Sequence, residues 1–212
     1  MTKAGSPAFA ATKALKHLSL RDPALASIIE SVGKYTIERR PEPFRSLVEA
    51  IIYQQLAGRA ADTIYGRFLK IYRGRFPSPK RILNTTEAEF RAAGLSRQKI
   101  GYIQDLAAHV TDRRLKLDLV AGLEDSQVVE QLVQVKGIGK WTADMFLIFC
   151  LGRPDVLPVG DLGLRRAMML TYGLSELPMP AKMQEIASAW KPYCSVATWY
   201  MWKSLEKFKG IG

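Results

Sequence analysis

A glycine turn that leads into a helix is the most informative short run in this chain of 212 residues. Residues 132–146 read LVQVKGIGKWTADMF, in which Gly137 and Gly139 flank a single isoleucine. Glycines let the backbone turn sharply, and N–H groups of the turn and of the next helix can then bind a phosphate. Lys140 adds positive charge and Thr142 adds a hydroxyl group. The run predicts a phosphate-binding turn, although a plain turn with a glycine stop is the simpler explanation of Gly-Ile-Gly alone.

A carboxylate stands where a second loop enters a helix. Asp161 follows the loop sequence PDVLPVG and precedes a helical apolar pattern over residues 162–172. An aspartate at such a place is commonly an N-cap that accepts backbone N–H groups. The positive end of the helix dipole also favours the ionised carboxylate. The sequence therefore predicts a fixed negative charge, and capping does not exclude a chemical role.

The overall charge points to a polyanionic partner. Lysine and arginine number 31 against 20 aspartate and glutamate residues, a formal net charge of +11, while 48% of residues are hydrophobic. Such a chain can bury a core, which excludes disorder as its main character. Nucleic acid is the usual polyanion for a basic folded chain, although ribosomal, tRNA or acidic-lipid contacts would produce the same charge.

Cysteine and histidine counts exclude several kinds of site. With two cysteines and two histidines, the chain lacks the ligand spacing of a zinc or iron–sulfur centre. A secreted disulfide scaffold is also disfavoured. The first residues, MTKAGSPAFAATKALK, lack the apolar core of a signal peptide, and the longest apolar stretch, Met145 to Leu151, is far shorter than a membrane span. We therefore expect an intracellular protein without a membrane anchor.

The elements that position these residues are predicted to be helices. Apolar spacings along the chain are helical, with about ten helices and no convincing alternation of a strand. Residues 44–72 predict two helices with a bend around Ala57-Gly58, and Thr86 and Glu89 have the spacing of a capping box. No solenoid repeat is present. The fold class is therefore all-α.

Two motifs together resemble a known family. The pattern L-x-x-V-x-G-I-G-x-W-T-A-x-x-F over residues 132–146 is similar to the helix–hairpin–helix of the base-excision DNA glycosylases, the HhH-GPD superfamily. The run PDVLPVGDLGLRRA over residues 154–167 resembles the segment that carries the essential aspartate of this family. The pair resembles the alkyl-purine branch, the 3-methyladenine DNA glycosylase II group, from about Pro43 to Lys203.

The resemblance implies a chemical role for Asp161. Cleavage of an N-glycosidic bond passes through an oxocarbenium-like sugar, which a nearby carboxylate stabilises. Members that also cut the DNA strand have a lysine directly before the Thr-Ala of the hairpin, and this lysine forms a Schiff base. Here that residue is Trp141, and Lys140 would point about 100° away on a helix. The sequence thus matches the monofunctional pattern, and the iron–sulfur branch is excluded because its cysteines are absent.

An aromatic base pocket is also implied. Trp141 and Trp202 fall on the pocket tryptophans of the family, where they would attract a positively charged alkylated purine by cation–π contact. Core packing is an equally good explanation of Trp202. Met145 stands where well-known bacterial members have a pocket tyrosine, so the pocket is expected to be looser or differently selective.

The run IIYQQLAGRAA over residues 51–61 resembles the segment that fills the gap left by an extruded base. Gln55 and Leu56 would lie at the intercalating turn, with Leu56 in the core as the alternative. Gln54 is harder to explain as a core residue, because buried amides need partners.

In relatives, carbonyl oxygens of the hairpin also hold a monovalent cation. By position these would belong to Val133, Val135 and Ile138, and Ile138 would also plug the turn into the core. No cofactor is required for the expected reaction, and a structural Na⁺ or K⁺ at the hairpin is the one ion that the resemblance implies.

The implied architecture is the two-lobed glycosylase fold in compact form. Residues 1–12 are expected to be a flexible tail, residues 13–43 and 154–212 one helical lobe, and residues 44–153 a six-helix barrel that contains the hairpin. A monomer that binds double-stranded DNA with a damaged base is expected. Two alternatives are a glycosylase for another lesion, such as hypoxanthine, 1-methyladenine or 8-oxoguanine, and a non-catalytic DNA-binding module.

Overall fold

The computed structural model describes residues 7–56 and 58–208, with side chains over 12–56 and 58–206. This part of the chain is helical and contains no strand, so the all-α prediction is confirmed. Its α-helices are α1 (Pro7–Arg21), α2 (Pro23–Val32), α3 (Pro43–Tyr53), α4 (Gly58–Ile71), α5 (Pro79–Leu83), α6 (Glu87–Ala92), α7 (Arg97–Thr111), α8 (Asp125–Leu132), α9 (Lys140–Met145), α10 (Leu162–Thr171), α11 (Pro180–Ala187) and α12 (Cys194–Phe208). A π-helical segment, Phe146–Leu151, continues α9.

Several helix boundaries follow from local signals in the sequence. The capping box is confirmed, because the Thr86 hydroxyl accepts the Glu89 N–H and the Glu89 carboxylate accepts the Thr86 N–H. Helix α1 begins at Pro7, where proline suits a first helical turn. Helix α1 therefore includes residues 7–12 of the predicted tail, whose first six residues lie outside the described part.

The chain divides into two compact units. The terminal unit comprises Met1–Arg39 with Gly152–Gly212, and the central unit comprises Arg40–Leu151. The boundaries expected from the sequence lay at 43/44 and 153/154. The described residues of the central unit contain α3–α9, seven α-helices rather than six, because the chain between Pro79 and Ala92 forms two very short ones.

A buried carboxylate organises the terminal unit. Asp22, 6% exposed, caps α2 by accepting the Leu25 N–H at 3.0 Å. It also accepts the Tyr172 hydroxyl and, at 2.8 Å, the Trp190 indole N–H. Because Tyr172 directly follows α10, these bonds fix the carboxyl-terminal end of that helix.

Helix α7 packs against several other helices of the central unit. One of its faces is fully buried and packs against α3 and α5; the buried residues are Ile100, Ile103, Leu106 and Ala107. The facing side of α3 contributes four buried aliphatic residues: Leu47, Val48, Ile51 and Ile52. Burial of this size is the main stabilising contribution to a helical unit, and it leaves the remaining faces of α7 for polar contacts.

Candidate active site

Asp161 caps α10 and is held by two N–H donors. Its Oδ1 accepts the Leu164 backbone N–H at 2.6 Å and the indole N–H of Trp202 at 2.8 Å. The backbone of Asp161 is extended, and its own N–H donates to the Pro158 carbonyl at 2.9 Å. The predicted N-cap is confirmed. The carboxylate is thereby oriented by two elements of the terminal unit, α10 and α12.

Gly163 leaves space for this pair. A Cβ atom at this position would lie 3.1 Å from Asp161 Oδ1 and 3.6 Å from Trp202 Nε1. The first distance is tighter than an ordinary van der Waals contact, so a larger residue would displace the carboxylate. Sequence reasoning missed Gly163, although a glycine inside the first turn of a helix, where alanine is favoured, was an available signal.

Helix α12 also anchors the loop that leads to Asp161. The Ser195 hydroxyl donates to the Arg153 carbonyl at 2.7 Å and accepts the Val156 N–H at 3.0 Å. Ser195 precedes Trp202 by seven residues, close to two helical turns, so both side chains lie on one side of α12. One helix therefore holds both the start of the loop and the carboxylate at its end. No sequence signal distinguished Ser195 from an ordinary helix-initiating serine.

The glycine hairpin adopts a tight turn in the central unit. The Ile138 N–H donates to the Val135 carbonyl at 3.1 Å, and Ile138 is buried as predicted. Gly137 has φ +80°, and a Cβ atom there would lie 2.1 Å from the Tyr102 ring. Glycine is thus required at position 137 for both conformation and space.

Gly139 differs from the expectation. Its φ of −96° and ψ of 177° are accessible to any residue, so the turn does not depend on it. It is the N-cap of α9, and no atom lies within 4 Å of the position of a Cβ. Because Gly139 has no side chain, the space next to the first turn of α9 is open.

Lys140 and Thr142, the two polar residues of the predicted phosphate site, differ in exposure. The Lys140 ammonium pairs with the Asp144 carboxylate, and the Lys140 side chain remains 62% exposed. Thr142 is 4% exposed, so the expectation that its hydroxyl contacts phosphate is corrected. The phosphate site at the hairpin stays a prediction. Burial raises the pKa of Asp144, and the Lys140 ammonium opposes this rise.

The predicted pocket residues divide between the two units. Trp141 is 44% exposed on α9, and the partly buried Met145 follows it by four residues on the same side of the helix. Trp202 belongs to the terminal unit. Its indole N–H contacts Asp161, a relationship that the assignment to a base pocket had not anticipated.

The predicted intercalating turn follows α3. Gln55 has a left-handed backbone with φ +56°, and Leu56 is 37% exposed, which argues against the alternative that Leu56 is a core residue. The Gln54 side-chain amide donates to the Gly137 carbonyl at 2.9 Å, which supplies the partner that a buried amide needs. Ala57 of the predicted bend lies outside the described residues.

The carbonyl set predicted for a cation suits such an ion chemically. Val133, Val135 and Ile138 would offer neutral carbonyl oxygens, the ligands that monovalent cations take in selective sites. The Val135 carbonyl accepts one hydrogen bond and has a second lone pair. Among the described residues, no cluster of three or more His, Cys, Asp or Glu side chains could hold a metal. The cation site stays a prediction.

Arg165, a residue of the basic run after Asp161, contacts a neighbouring loop. It donates from Nε to the Pro178 carbonyl at 3.0 Å.

Within the described residues, none of the helices has the length and hydrophobicity that crossing a bilayer would require.

Comparison with known proteins identifies the family. Residues 48–192 match the HhH-GPD superfamily of base excision DNA repair proteins. The chain is 34% identical over 198 residues to the DNA-3-methyladenine glycosylase 1 of Schizosaccharomyces pombe, covering 91% of this chain and 87% of that protein.

Solved structures give the same result. The 3-methyladenine DNA glycosylase (Mag1) of S. pombe in complex with abasic DNA superposes with a TM-score of 0.83 at 32% identity, over 92% of this chain and 97% of that chain. A DNA-3-methyladenine glycosidase from Bacillus halodurans also has a TM-score of 0.83, at 38% identity, over 97% of this chain and 92% of that chain. The chain therefore belongs to the HhH-GPD superfamily of base excision DNA repair proteins.

Proposed function

We propose that this protein is a monofunctional DNA glycosylase that hydrolyses the N-glycosidic bond of alkylated purines, such as 3-methyladenine and 7-methylguanine, and leaves an abasic site. The names of its relatives support this substrate class. The observation that carries the proposal is the Asp161 carboxylate, held on Oδ1 by the Leu164 N–H and the Trp202 indole N–H. A carboxylate fixed in this way can stabilise developing positive charge without reorganising.

The reaction needs little else from the protein. The bond between C1′ and the base nitrogen breaks, and its electron pair leaves with the base. This pair neutralises the positive charge of an N-alkylated purine, so a strong general acid is not required. Asp161 stabilises the oxocarbenium-like sugar, and a water molecule bonds to C1′ and releases a proton to solvent.

Two features support hydrolysis over a lyase reaction. Position 141, where a Schiff-base lysine would stand, is a tryptophan. The neighbouring Lys140 is paired with Asp144, and an ammonium held by a carboxylate is a poor nucleophile, because the amine must lose a proton first. The product expected from this chain is therefore an abasic site in an uncut strand.

Recognition of the base falls to the tryptophans. The exposed ring of Trp141 can stack on a cationic base, a contact worth about 1–2 kcal/mol when water is excluded. Met145 on the same side of α9 offers a thioether in place of a second ring, which favours a broader range of bases. Selectivity for cationic bases then depends on the ring of Trp141.

Double-stranded DNA is the partner that best suits the chain. The net charge of +11 favours binding to the phosphate backbone. The open space above Gly139 admits a phosphate close to the first turn of α9. Exposed Leu56 can enter the base stack after a nucleotide is extruded. We expect the protein to act as an intracellular monomer.

Release of bases from methylated duplex DNA tests the proposal. Wild-type protein should release 3-methyladenine, with strand breaks only after alkali treatment. Asp161→Asn keeps a good N-cap residue and should lower the rate by at least about 100-fold, because the transition-state charge is no longer balanced. Strand breaks without alkali would contradict the monofunctional assignment. No release from methylated DNA, together with tight binding to abasic DNA, would favour another lesion or a non-catalytic binding module.

A further inference from the structure

A lysine of α7 caps the end of α3. The Lys99 ammonium donates to the Ile52 carbonyl at 2.6 Å and to the Gln54 carbonyl at 2.8 Å. The carbonyls at the end of a helix have no intrahelical partner and carry negative partial charge. Lys99 is half-buried, and the loss of hydration lowers its pKa. The two hydrogen bonds from Lys99 therefore fix the backbone of residues 52–54, directly before Gln55 and Leu56.

The same helix holds the glycine hairpin. Tyr102 lies against Gly137, where a Cβ atom would meet the ring, and the Asp105 carboxylate accepts the Lys136 N–H at 2.9 Å. Residues 99, 102 and 105 are spaced by three, so they follow one side of α7 over about 9 Å. Helix α7 therefore contacts the hairpin and the turn after α3 from one continuous strip.

Gln54 joins the two elements directly. Its side-chain amide donates to the Gly137 carbonyl at 2.9 Å, while its backbone carbonyl accepts the Lys99 ammonium. The turn after α3, the hairpin and α7 are thus connected pairwise. The hydrogen bonds that Gln54 and Lys99 donate are partly buried, whereas the bond between Asp105 and the Lys136 N–H is exposed. Gln55 adopts its left-handed conformation within this frame, a conformation that costs energy in a residue with a side chain.

We infer that Lys99 and Gln54 are positioning residues that hold the Gln55–Leu56 turn against the hairpin, so that the parts that enter the base stack and bind the phosphate act as one rigid body on duplex DNA. This inference rests on the proposed function. Extruding a base from a duplex requires unstacking it against a fixed support, whereas a base in a single strand is already accessible. The two residues therefore act on extrusion and leave bond hydrolysis unaffected.

Two substrates separate these steps. Lys99→Met and Gln54→Met keep a long unbranched side chain and remove the hydrogen bonds that the native side chains donate. Single-turnover base release from methylated duplex DNA should fall about tenfold in each variant, as expected when a hydrogen bond to a charged or shielded group is lost. Release from methylated single-stranded DNA should stay within about twofold of wild type, since no stacked duplex has to open. Lys70→Met removes an exposed lysine of α4 and serves as the charge-matched control.

A fluorescence measurement tests the inference independently of base release. 2-Aminopurine placed beside an abasic-site analogue in a duplex brightens when the protein unstacks it. Lys99→Met should lose about half or more of this brightening at saturating protein, with the Lys70→Met variant unchanged. Equal losses of release on duplex and single strand, or unchanged brightening in both test variants, would overturn the inference. If wild-type protein releases no base, the proposed function fails, and the brightening alone still decides the role of Lys99.

Discussion

The indole N–H of Trp202 lies 2.8 Å from Asp161 Oδ1, the same oxygen that accepts the Leu164 backbone N–H. Two donors on one carboxylate oxygen restrict rotation of the carboxylate. One donor comes from the helix that Asp161 caps, and the other comes from α12, 41 residues further along the chain. The orientation of the Asp161 carboxylate therefore depends on the packing of α12 against α10, which are in contact in the terminal unit.

Trp202→Phe tests this hydrogen bond. The variant keeps an aromatic ring but removes the N–H donor, so Asp161 Oδ1 loses the hydrogen bond from α12 and keeps the one from the Leu164 N–H. We expect the single-turnover rate of base release to fall about 5- to 20-fold, consistent with loss of a hydrogen bond to a charged group, with little change in DNA affinity.

Trp199→Phe is the matched control for that variant. Trp199 is buried and packs against Tyr35 and Tyr200, so its replacement should lower the melting temperature without a specific loss of rate. If Trp202→Phe lowered the affinity for DNA and spared the rate, Trp202 would be a base-pocket residue only.

Gly163→Ala should lower the activity without lowering the stability. The added Cβ would lie 3.1 Å from Asp161 Oδ1, so the carboxylate must shift by a few tenths of an ångström and the rate should fall. Alanine is also the better helix former, by up to about 1 kcal/mol, so the melting temperature should be unchanged or higher. Kinetics and thermal unfolding of the same preparation measure both effects.

Gly101→Ala provides the comparison. Gly101 lies within α7, and apart from its chain neighbours and the backbone of its own helix no atom lies within 4 Å of its Cβ position. Its replacement should raise stability by a similar amount and leave the rate unchanged. A full rate for Gly163→Ala would show that the Asp161–Trp202 pair tolerates displacement.

Local signals accounted for most of what the sequence could predict. The N-cap at Asp161, the capping box at Thr86 and the sharp turn at Gly137 each depend on residues within a few positions of one another. The partners of these groups could not be predicted, because Trp202 bonds a residue 41 positions away and Gln54 bonds a carbonyl 83 positions away. Such contacts are decided by helix packing, which periodicity alone does not specify.

Two expectations about the hairpin were wrong. The spacing of apolar residues does not show which face of the short helix α9 is buried. The Thr142 hydroxyl was therefore assigned to phosphate, although Thr142 is buried. Gly139, the second glycine of the hairpin, was expected to need special backbone angles. Gly137 has a positive φ, whereas Gly139 does not.

Asp144→Asn should alter the pH dependence of stability. Burial raises the pKa of the Asp144 carboxyl above its ordinary value of 3.8, so the folded state binds its proton more tightly than the unfolded state. The stability contributed by this group is fully present below pH 3.8 and is lost as the pH rises through the raised pKa. Asparagine does not titrate. The melting temperature of the variant minus that of wild type should therefore increase as the pH rises through this range.

Thermal melts at a series of pH values measure this difference. Asp112→Asn is a suitable control, because Asp112 is an exposed aspartate whose carboxylate pairs with Arg114 at the surface. A difference between Asp144→Asn and wild type that did not vary with pH would show that the carboxyl titrates alike in the folded and unfolded states.

The Lys140–Asp144 pair also predicts how salt affects DNA binding. Lys140 is mostly exposed beside the hairpin, while its partner carboxylate is buried. If the Lys140 ammonium contacts a phosphate, Lys140→Met should reduce the slope of log affinity against log salt concentration by about 0.9. Asp144→Asn removes the internal competitor for the same ammonium, so this variant should bind DNA more tightly at low salt. Lys80→Met, which removes an exposed lysine of α5, is the control. Opposite shifts of the two test variants, with this control unchanged, would assign Lys140 to the phosphate contact. Equal slopes for Lys140→Met and wild type would leave backbone N–H groups as the binding groups of the hairpin.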